Sequence, residues 1–161
     1  MPPQNPKIKT LAQLTTICTQ LKAQGRIIVT TNGCFDLLHP GHIRLLQKAR
    51  TMGDVLIVAL NSDRSVRNLK GQGRPIYNQG ERAEIVAALE AVDFVIIFHQ
   101  REPSAVLAAL QPHIHVKGRG YQPAQLPECP IVTASGGRIA IVEAQGDYST
   151  TGIINRLKIP L

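Results

Sequence analysis

Short apolar segments rich in β-branched residues alternate with amphipathic segments along this chain of 161 residues. Residues 26–31 (RIIVTT), 54–60 (DVLIVAL) and 92–98 (VDFVIIF) are largely apolar at consecutive positions and not at every second position. Strands with this pattern are typical of sheets that are covered on both faces. Because the strands alternate with helices, the sequence predicts an α/β fold with a doubly wound, mostly parallel sheet.

Helical spacing of apolar residues, together with capping and breaking residues, locates the other elements. We expect helices at residues 10–24, 42–52, 80–91, 103–110 and 149–157. The remaining predictions are short strands at 114–117, 131–133 and 138–142, and a polar loop at 64–78. Residues 1–9 are polar and rich in proline, so a loose tail is expected to precede a single domain over residues 10–161.

The composition restricts the kind of partner. Eighteen Lys and Arg residues against eleven Asp and Glu residues give a net charge of +7, which favours an anionic partner. Tryptophan is absent and aromatic residues are 4% of the chain, so no nucleic-acid partner is expected. The longest apolar run, at residues 55–60, is six residues long, whereas a membrane span needs about 18, so no membrane partner is expected either.

Cysteines and histidines bear on the compartment and on metal binding. The three cysteines form no C-x-x-C pair, and the first nine residues lack the apolar core of a signal peptide. Two histidines occur as H-x-x-H, but zinc needs further ligands, and no other cluster supplies them. We therefore expect a cytoplasmic protein without a disulfide framework and without a metal site built by the protein.

The most informative segment is TTNGCFDLLHPGH, residues 30–42, where a predicted strand ends and a helix begins. His39 and His42 lie three residues apart around Gly41, which permits close approach of the backbone to a ligand. The free N–H groups and the positive dipole end of a helix make an anion site at this position. Imidazoles placed there can donate hydrogen bonds to phosphate oxygens, so this segment is the predicted phosphate-binding turn.

Other polar residues fall at the predicted carboxyl ends of strands or at a helix start, where ligands of doubly wound sheets bind. These residues are Thr31, Asn32, Asn61, Asp63, Lys117, Gly118, Ser149, Thr150 and Thr151. For the last three, hydroxyl capping of the helix and phosphate binding explain the sequence equally well.

A basic segment follows the second predicted strand. Five cations against the single acid Glu81 give 5 − 1 = +4 within residues 64–82. The cations are Arg64, Arg67, Lys70, Arg74 and Arg82. Because this segment adjoins the predicted phosphate turn, we expect it to bind a triphosphate, with Gly71 and Gly73 allowing it to open and close.

The phosphate turn carries a resemblance to a known superfamily. It reproduces the pattern G-x-F-D-x-x-H-x-G-H, which is typical of the nucleotidyltransferases that include cytidylyltransferases and small adenylyltransferases. The matching residues are Gly33, Phe35, Asp36, His39, Gly41 and His42. With DVLIVALNSD, LKGQGRP, ALEAVDFV, VKG and the final STT–II pattern, the chain from about Lys7 onward resembles the standalone D-glycero-β-D-manno-heptose 1-phosphate adenylyltransferases.

This resemblance implies a Rossmann-like nucleotidyltransferase fold and transfer of AMP from ATP to a sugar 1-phosphate, giving ADP-heptose and pyrophosphate. It implies that His39, His42 and Lys70 are catalytic, that Arg82 binds phosphate, and that Mg²⁺ is held mainly through substrate phosphates. The nucleotide would contact the motif residues, Lys117, Gly118 and residues 149–151. Candidate acceptor-binding residues are Asn61, Asp63, Arg67, Arg74 and Arg119. Whether the chain forms a homodimer is left open.

One departure from the family pattern leaves the acceptor open. Relatives often read K-G-G-D-[YW], whereas this chain has Arg119 and Gly120 in place of the G-D pair, so the acid is missing. Two other functions also stay open. One is a cytidylyltransferase that acts on an alcohol phosphate such as glycerol 3-phosphate, and the other is a non-catalytic module that binds nucleotides or nucleic acid.

Overall fold

A computed structural model describes residues 5–143 and 146–158, and within them five strands form one sheet. Every strand pair is parallel, and the strand order is β3-β2-β1-β4-β5. This confirms the predicted doubly wound α/β fold. The strands are β1 (Ile28–Gly33), β2 (Val55–Asn61), β3 (Phe94–Phe98), β4 (Ile114–Gly118) and β5 (Arg138–Val142).

Seven α-helices and one 3₁₀ turn (Pro123–Gln125) accompany the strands in the described ranges. Capping residues account for several helix starts: Thr10, Ser62 and Asn78 each accept a backbone N–H from the first turn of the helix that follows. None of the helices in these ranges has both the length and the apolarity needed to cross a bilayer. The helices are α1 (Leu11–Ala23), α2 (Pro40–Arg50), α3 (Asp63–Lys70), α4 (Gln79–Ala87), α5 (Ser104–Leu110), α6 (Cys129–Ala134) and α7 (Thr150–Leu157).

The strand order reverses at β1, which pairs with β2 on one side and with β4 on the other. Thr31, for example, pairs with Val58 of β2 and with Val116 of β4. Crossover helices leave opposite faces of the sheet at such a reversal, so a crevice opens beyond the carboxyl ends of these strands. The turn that follows β1 lies at this crevice.

Apolar side chains are buried on both faces of the sheet. All seven residues of β2 are buried, which explains why that segment is apolar at consecutive positions. One cluster packs Leu14 of α1 and Leu110 of α5 against the sheet, and the other packs Leu46 of α2 and Val86 of α4. The two clusters fix the strands and hence the positions of the strand ends.

Two predicted elements are wrong. The first half of the predicted loop 64–78 is helix α3, which Ser62 caps and which buries only Ser65 and Val66, too few apolar positions to give a helical period. The predicted strand 131–133 lies in α6, where Pro130 occupies a favoured first-turn position. A run of three β-branched residues is too short to set secondary structure against that helix start.

The segment before α1 is held against the sheet in its described part. Ile8 forms a parallel bridge with Val95, and the Lys9 N–H donates to the Val95 carbonyl at 2.9 Å. The Lys7 ammonium donates to the carbonyls of Leu89 and Val92 at 3.2 and 2.7 Å. Residues 5–9 therefore differ from the loose tail expected there, and residues 1–4 lie outside the described residues.

Candidate active site

A cavity of about 740 Å³ opens at the carboxyl edge of the sheet, beyond the ends of β1, β2 and β4. Its size suits a nucleotide or sugar phosphate. It brings together thirteen of the residues singled out from the sequence. These are Asn32, Gly33, Phe35, Asp36, His39, His42, Asn61, Lys70, Arg74, Lys117, Ser149, Thr150 and Thr151.

The two histidines of the phosphate turn stack on each other at the start of α2. Their ring centroids are 3.7 Å apart at an interplanar angle of 23°. His39 is the N-cap residue with extended backbone, and Pro40 begins the helix. The spacing of three residues therefore puts both imidazoles on the first turn, where the helix dipole is positive.

The helix also fixes the tautomer of His42. The Nδ1 atom of His42 accepts the backbone N–H of His39 at 3.3 Å. A neutral imidazole that accepts at Nδ1 carries its proton on Nε2. The Nε2–H group of His42 is thus left as the hydrogen-bond donor of this ring.

Burial keeps both rings neutral. Desolvation, with a smaller contribution from the neighbouring His39, lowers the pKa of His42 to about 4. Desolvation also lowers the pKa of His39. At neutral pH each ring therefore offers one N–H donor without a positive charge, and an arriving phosphate is what would favour protonation.

A second helix N-terminus faces the same cavity. Ser149 caps α7 by accepting the Gly152 N–H at 2.9 Å, and the Thr150 hydroxyl donates to the Leu37 carbonyl at 3.1 Å. Capping thus accounts for Ser149, whereas the Thr151 hydroxyl has no partner among the described residues. Two positive helix ends converge on one cavity, which favours an anion there.

Arg82 supports the site from inside the protein and does not line the cavity. It is fully buried, and its guanidinium donates to the carbonyls of Tyr77, Cys34 and Asn61 at 3.0, 2.6 and 2.8 Å. A fourth bond, at 2.8 Å, pairs it with Asp63. The expected phosphate-binding role of Arg82 therefore does not fit this geometry, because its donors hold the ends of β1 and β2 together.

Asp36 has a similar supporting contact. Its carboxylate, although on the cavity wall, is 3% exposed and accepts Arg74 Nε at 2.7 Å and the N–H groups of Ile76 and Tyr77. In this structure the Asp36 carboxylate thus holds residues 74–77 in place, and its contact with a nucleotide stays a prediction. Arg74 is neutralised by the same pair, so Lys70 is the cation of the basic segment that lines the cavity without a partner among the described residues.

A polar chain runs across the junction of β1 and β4. The Thr30 hydroxyl contacts His115 Nδ1 at 2.8 Å, and His115 Nε2 contacts Asn32 Oδ1 at 3.2 Å. Lys117 then donates to Asn32 Oδ1 at 3.0 Å and to Glu128 Oε1 at 3.2 Å. Because an ammonium only donates, Asn32 presents its carbonyl to Lys117, which leaves its amide N–H₂ as the remaining polar group.

Three more expected site residues lie away from the ligand space. Thr31 is fully buried, and its hydroxyl donates to the Val116 carbonyl at 2.8 Å, which joins β1 to β4. The Asp63 carboxylate forms an ion pair with Arg82. Arg67 is exposed on α3 and does not line either cavity. Asn61 does reach the main cavity, although its amide nitrogen donates to Ser65 and to the Arg101 carbonyl.

A smaller cavity of about 390 Å³ adjoins the first and shares His39, His42, Tyr148 and Ser149 with it. The other expected site residues line this space: Gly41, Gly118 and Arg119. Arg119, expected to bind the acceptor, is therefore separated from the other acceptor candidates, and its guanidinium pairs with the exposed Asp147 at 3.1 Å. The histidine pair stands at the boundary between two ligand spaces.

Several residues of the main cavity were not found from the sequence. They are Cys34, Leu69, Arg101, Glu102, Tyr121, Leu126, Pro127, Glu128 and Tyr148. Most come from the loops after β3 and β4, where no periodicity marks the positions that turn inward. Tyr148 had one available signal, since it directly precedes the Ser-Thr-Thr start of α7; its ring stacks near His39, with centroids 6.1 Å apart.

The donor atoms near the cavity fit a cation held mainly by phosphates. Within the described ranges, no group of three or more His, Cys, Asp or Glu side chains could hold a metal ion. Asp36 and Glu128 are paired with Arg74 and Lys117, and Glu102, the third carboxylate on the cavity wall, pairs with Arg101 at 3.4 Å. Mg²⁺ often keeps waters and phosphate oxygens as ligands with few protein groups, which this donor set allows.

A parallel sheet with an H-x-G-H turn at its strand-order reversal defines a nucleotidyltransferase site, and comparison with known proteins agrees. Residues 30–156 match the family described as cytidylyltransferase-like. The match spans most of the chain, so this protein belongs to the cytidylyltransferase-like family.

Among curated proteins, the chain is similar to bifunctional proteins named HldE. It is 48% identical over 157 residues to that of Geotalea uraniireducens, covering 98% of this chain and 32% of the relative. It is 49% identical over 151 residues to that of Pelobacter propionicus, covering 94% and 31%. The chain thus spans about a third of the length of the curated relatives it matches.

Two solved structures show the same fold. The lipopolysaccharide core biosynthesis protein from Thermoplasma volcanium GSS1 has a TM-score of 0.64 at 28% identity, covering 77% of this chain and 100% of that one. Pantoate-beta-alanine ligase from Francisella tularensis has a TM-score of 0.58 at 17% identity, covering 87% and 67%. The second likeness concerns the fold alone.

Proposed function

We propose that this chain transfers AMP from ATP to a sugar 1-phosphate, D-glycero-β-D-manno-heptose 1-phosphate, releasing pyrophosphate and ADP-heptose. The observation that carries the proposal is the stacked pair of neutral histidines at the N-terminus of α2, on the wall shared by two adjoining cavities. The similarity to HldE proteins supports the heptose substrate.

Two cavities that meet at one donor pair suit a reaction that joins two substrates. We assign the nucleobase to the smaller cavity, whose wall includes Gly41 and Gly118. The larger cavity has Lys70 and Lys117 and suits the phosphates and the acceptor. The α-phosphate would then lie between them, beside His39 and His42.

The reaction is a direct displacement at phosphorus. An anionic oxygen of the acceptor phosphate attacks the α-phosphorus, the bond to the bridging oxygen breaks, and pyrophosphate leaves with that electron pair. No general base is needed because the attacking oxygen is already ionised. Catalysis therefore rests on positioning and on donors aimed at developing charge, which His42 Nε2–H, His39 and Lys70 supply.

Bound Mg²⁺ would neutralise charge on the phosphates and polarise the phosphoryl oxygens. Oxygen donors on the cavity wall that would hold it include the Glu102 carboxylate and the hydroxyl groups at the start of α7. The oligomeric state and a cytoplasmic location stay predictions from the sequence.

The test is pyrophosphate release with ATP and with CTP, each against a panel of acceptors. The panel contains heptose 1-phosphate, other sugar 1-phosphates and glycerol 3-phosphate. We expect release with ATP and the heptose phosphate. Release with CTP and glycerol 3-phosphate would instead establish the cytidylyltransferase alternative. Binding of nucleic acid with steep salt dependence and no release with any acceptor would establish a non-catalytic module.

A further inference from the structure

We propose that Glu128 determines acceptor specificity by accepting a hydrogen bond from a hydroxyl group of a polyhydroxylated, phosphorylated acceptor in the main cavity. This inference rests on the proposed function and assigns the group that recognises the sugar portion of the substrate.

Glu128 is buried but only half satisfied. The residue is 2% exposed and lies on the wall of the main cavity. Its Oε1 atom accepts Lys117 Nζ at 3.2 Å, whereas its Oε2 atom is buried with no hydrogen-bond partner among the described residues. Burying an unpaired carboxylate oxygen is costly, so an orphaned oxygen at a ligand cavity points to a donor that the ligand brings.

The chemistry of the two substrates decides which donor this is. Ionised phosphates only accept hydrogen bonds and are repelled by a carboxylate. The amino group of a nucleobase is a donor, but the nucleobase is assigned to the smaller cavity, whose wall Glu128 does not line. Sugar hydroxyls are the remaining donors. The ribose hydroxyls of ATP belong to the nucleoside, which is assigned to the smaller cavity, so the hydroxyls of the acceptor are the donors proposed for Glu128.

The neighbouring groups suit a sugar phosphate. Lys117 Nζ lies within 3.2 Å of Glu128, so one ligand can place its phosphate at the ammonium and a hydroxyl at the carboxylate. The Tyr121 ring, whose centroid is 5.0 Å from the same Nζ, adds an apolar surface beside them. Because Oε2 is shielded from solvent in this structure, the carboxylate must turn slightly about its Cγ–Cδ bond to meet the hydroxyl.

The first experiment compares Glu128→Gln with the unchanged chain in steady-state kinetics. Gln keeps an oxygen for Lys117 but places N–H₂ where the orphaned acceptor stood. We expect kcat/KM for the sugar phosphate to fall about 10- to 100-fold, mainly through KM, because a hydrogen bond to a charged group is lost. The KM for ATP should change less than about twofold, because Glu128 is proposed to contact the acceptor and not ATP. Glu84→Gln, on the exposed face of α4, is the matched control.

The second experiment removes ligand hydroxyls one at a time with deoxy acceptors. In the unchanged chain, one deoxy acceptor should have its kcat/KM lowered by the same factor as Glu128→Gln lowers the kcat/KM of the complete acceptor. With that deoxy acceptor, the variant and the unchanged chain should have equal kcat/KM. If Glu128→Gln lowered kcat/KM by the same factor for every acceptor, deoxy acceptors included, Glu128 would act only through Lys117. That result would overturn the proposal. Equal kcat/KM for all deoxy acceptors in the unchanged chain would also overturn it, and this measurement does not depend on whether the variant folds.

The two proposals fail differently. A chain that releases no pyrophosphate with any sugar phosphate contradicts the proposed function. In that case the role of Glu128 is tested by calorimetry, which measures the affinity of the deoxy series for the unchanged chain and for Glu128→Gln. An active enzyme whose acceptor KM is unaffected by Glu128→Gln contradicts the role of Glu128 alone.

Discussion

At the scale of single residues, the geometry of the phosphate turn follows from local backbone bonds. The backbone N–H of His39 sets the tautomer of His42, and burial sets the charge of both rings. Each ring is thus prepared as a neutral donor before any ligand arrives. The tautomer of His42 is set by a bond within the turn, whereas the burial of the rings also involves distant residues such as Tyr148.

Replacing either histidine should remove turnover without unfolding the chain. For His39→Ala and His42→Ala we expect kcat to fall by at least about 10²-fold, because a donor aimed at the transition state is lost. Pyrophosphate release measures the effect, and thermal unfolding checks the fold. His99→Ala, an exposed histidine outside both cavities, is the control. Near-normal release by both variants would contradict the role assigned to the pair.

Gly41 is needed for space and not for an unusual backbone angle. A Cβ atom at this position would lie 2.9 Å from His39 Nδ1, closer than real Cβ atoms approach, and 3.0 Å from His39 Cε1. Gly41→Ala should therefore displace the His39 imidazole and lower kcat about 10- to 100-fold, since small misplacements of catalytic groups are costly. Unchanged kcat, with unchanged thermal unfolding, would show that the ring does not need this position.

At the scale of elements, buried ion pairs connect the strand ends to the loops around the cavity. Arg82 of α4 joins the ends of β1 and β2 to the start of α3. Asp36 joins the phosphate turn to the segment around Arg74. Of the five cations between residues 64 and 82, Arg74 and Arg82 are thus bound to carboxylates within the protein, and Lys70 lines the main cavity. Binding of a triphosphate by this segment stays a prediction.

Removing the Arg82 guanidinium should destabilise the chain strongly. Arg82→Met leaves the Cys34 and Asn61 carbonyls and the Asp63 carboxylate without their donor, so we expect the free energy of unfolding to fall by about 3–5 kcal/mol. Urea unfolding measures this difference. Arg67→Met, on the exposed face of α3, should change it by less than about 0.5 kcal/mol. Equal unfolding midpoints for the two variants would contradict the supporting role of Arg82.

At the scale of the whole molecule, the neutral buried histidines tie stability to pH. Desolvation, aided by the nearby Lys117, lowers the pKa of His115 to about 3, and the pKa of His42 is lowered to about 4. The unfolded chain, whose histidines titrate near 6.5, binds these protons more readily than the folded one. The associated stability is therefore complete above pH 6.5 and is lost progressively as the pH falls toward the two lowered pKa values.

The prediction is a slope of the unfolding free energy against pH between about pH 4 and 6. Each buried histidine contributes up to about 1.4 kcal/mol per pH unit. His115→Gln should reduce that slope by the share of one histidine, whereas His99→Gln, at an exposed position, should leave it as it is. Urea titrations at four pH values measure the slope. If His115→Gln did not change the slope, protonation of His115 in the folded chain would cost no free energy of unfolding, which would contradict the prediction.

The sequence by itself determined the class of sheet, the H-x-G-H turn at the start of a helix and the nucleotidyltransferase family. Each of these depends on contacts between near neighbours: consecutive apolar residues in a strand covered on both faces, or a histidine pair one helical turn apart. The sequence did not predict helices α3 and α6, because they have too few apolar residues to show a helical period.

Only the tertiary structure decided what the charged residues do. The sequence counted Arg82, Asp36 and Arg74 by charge alone. Apart from the Tyr77 carbonyl, five positions before Arg82, their partners lie 19 to 48 positions away along the chain. Glu128 carried no sequence signal, because its place on the cavity wall depends on how the loop after β4 folds over the sheet edge. Charge is a property of a residue, but whether it faces a ligand or another residue is decided by the packing of distant segments.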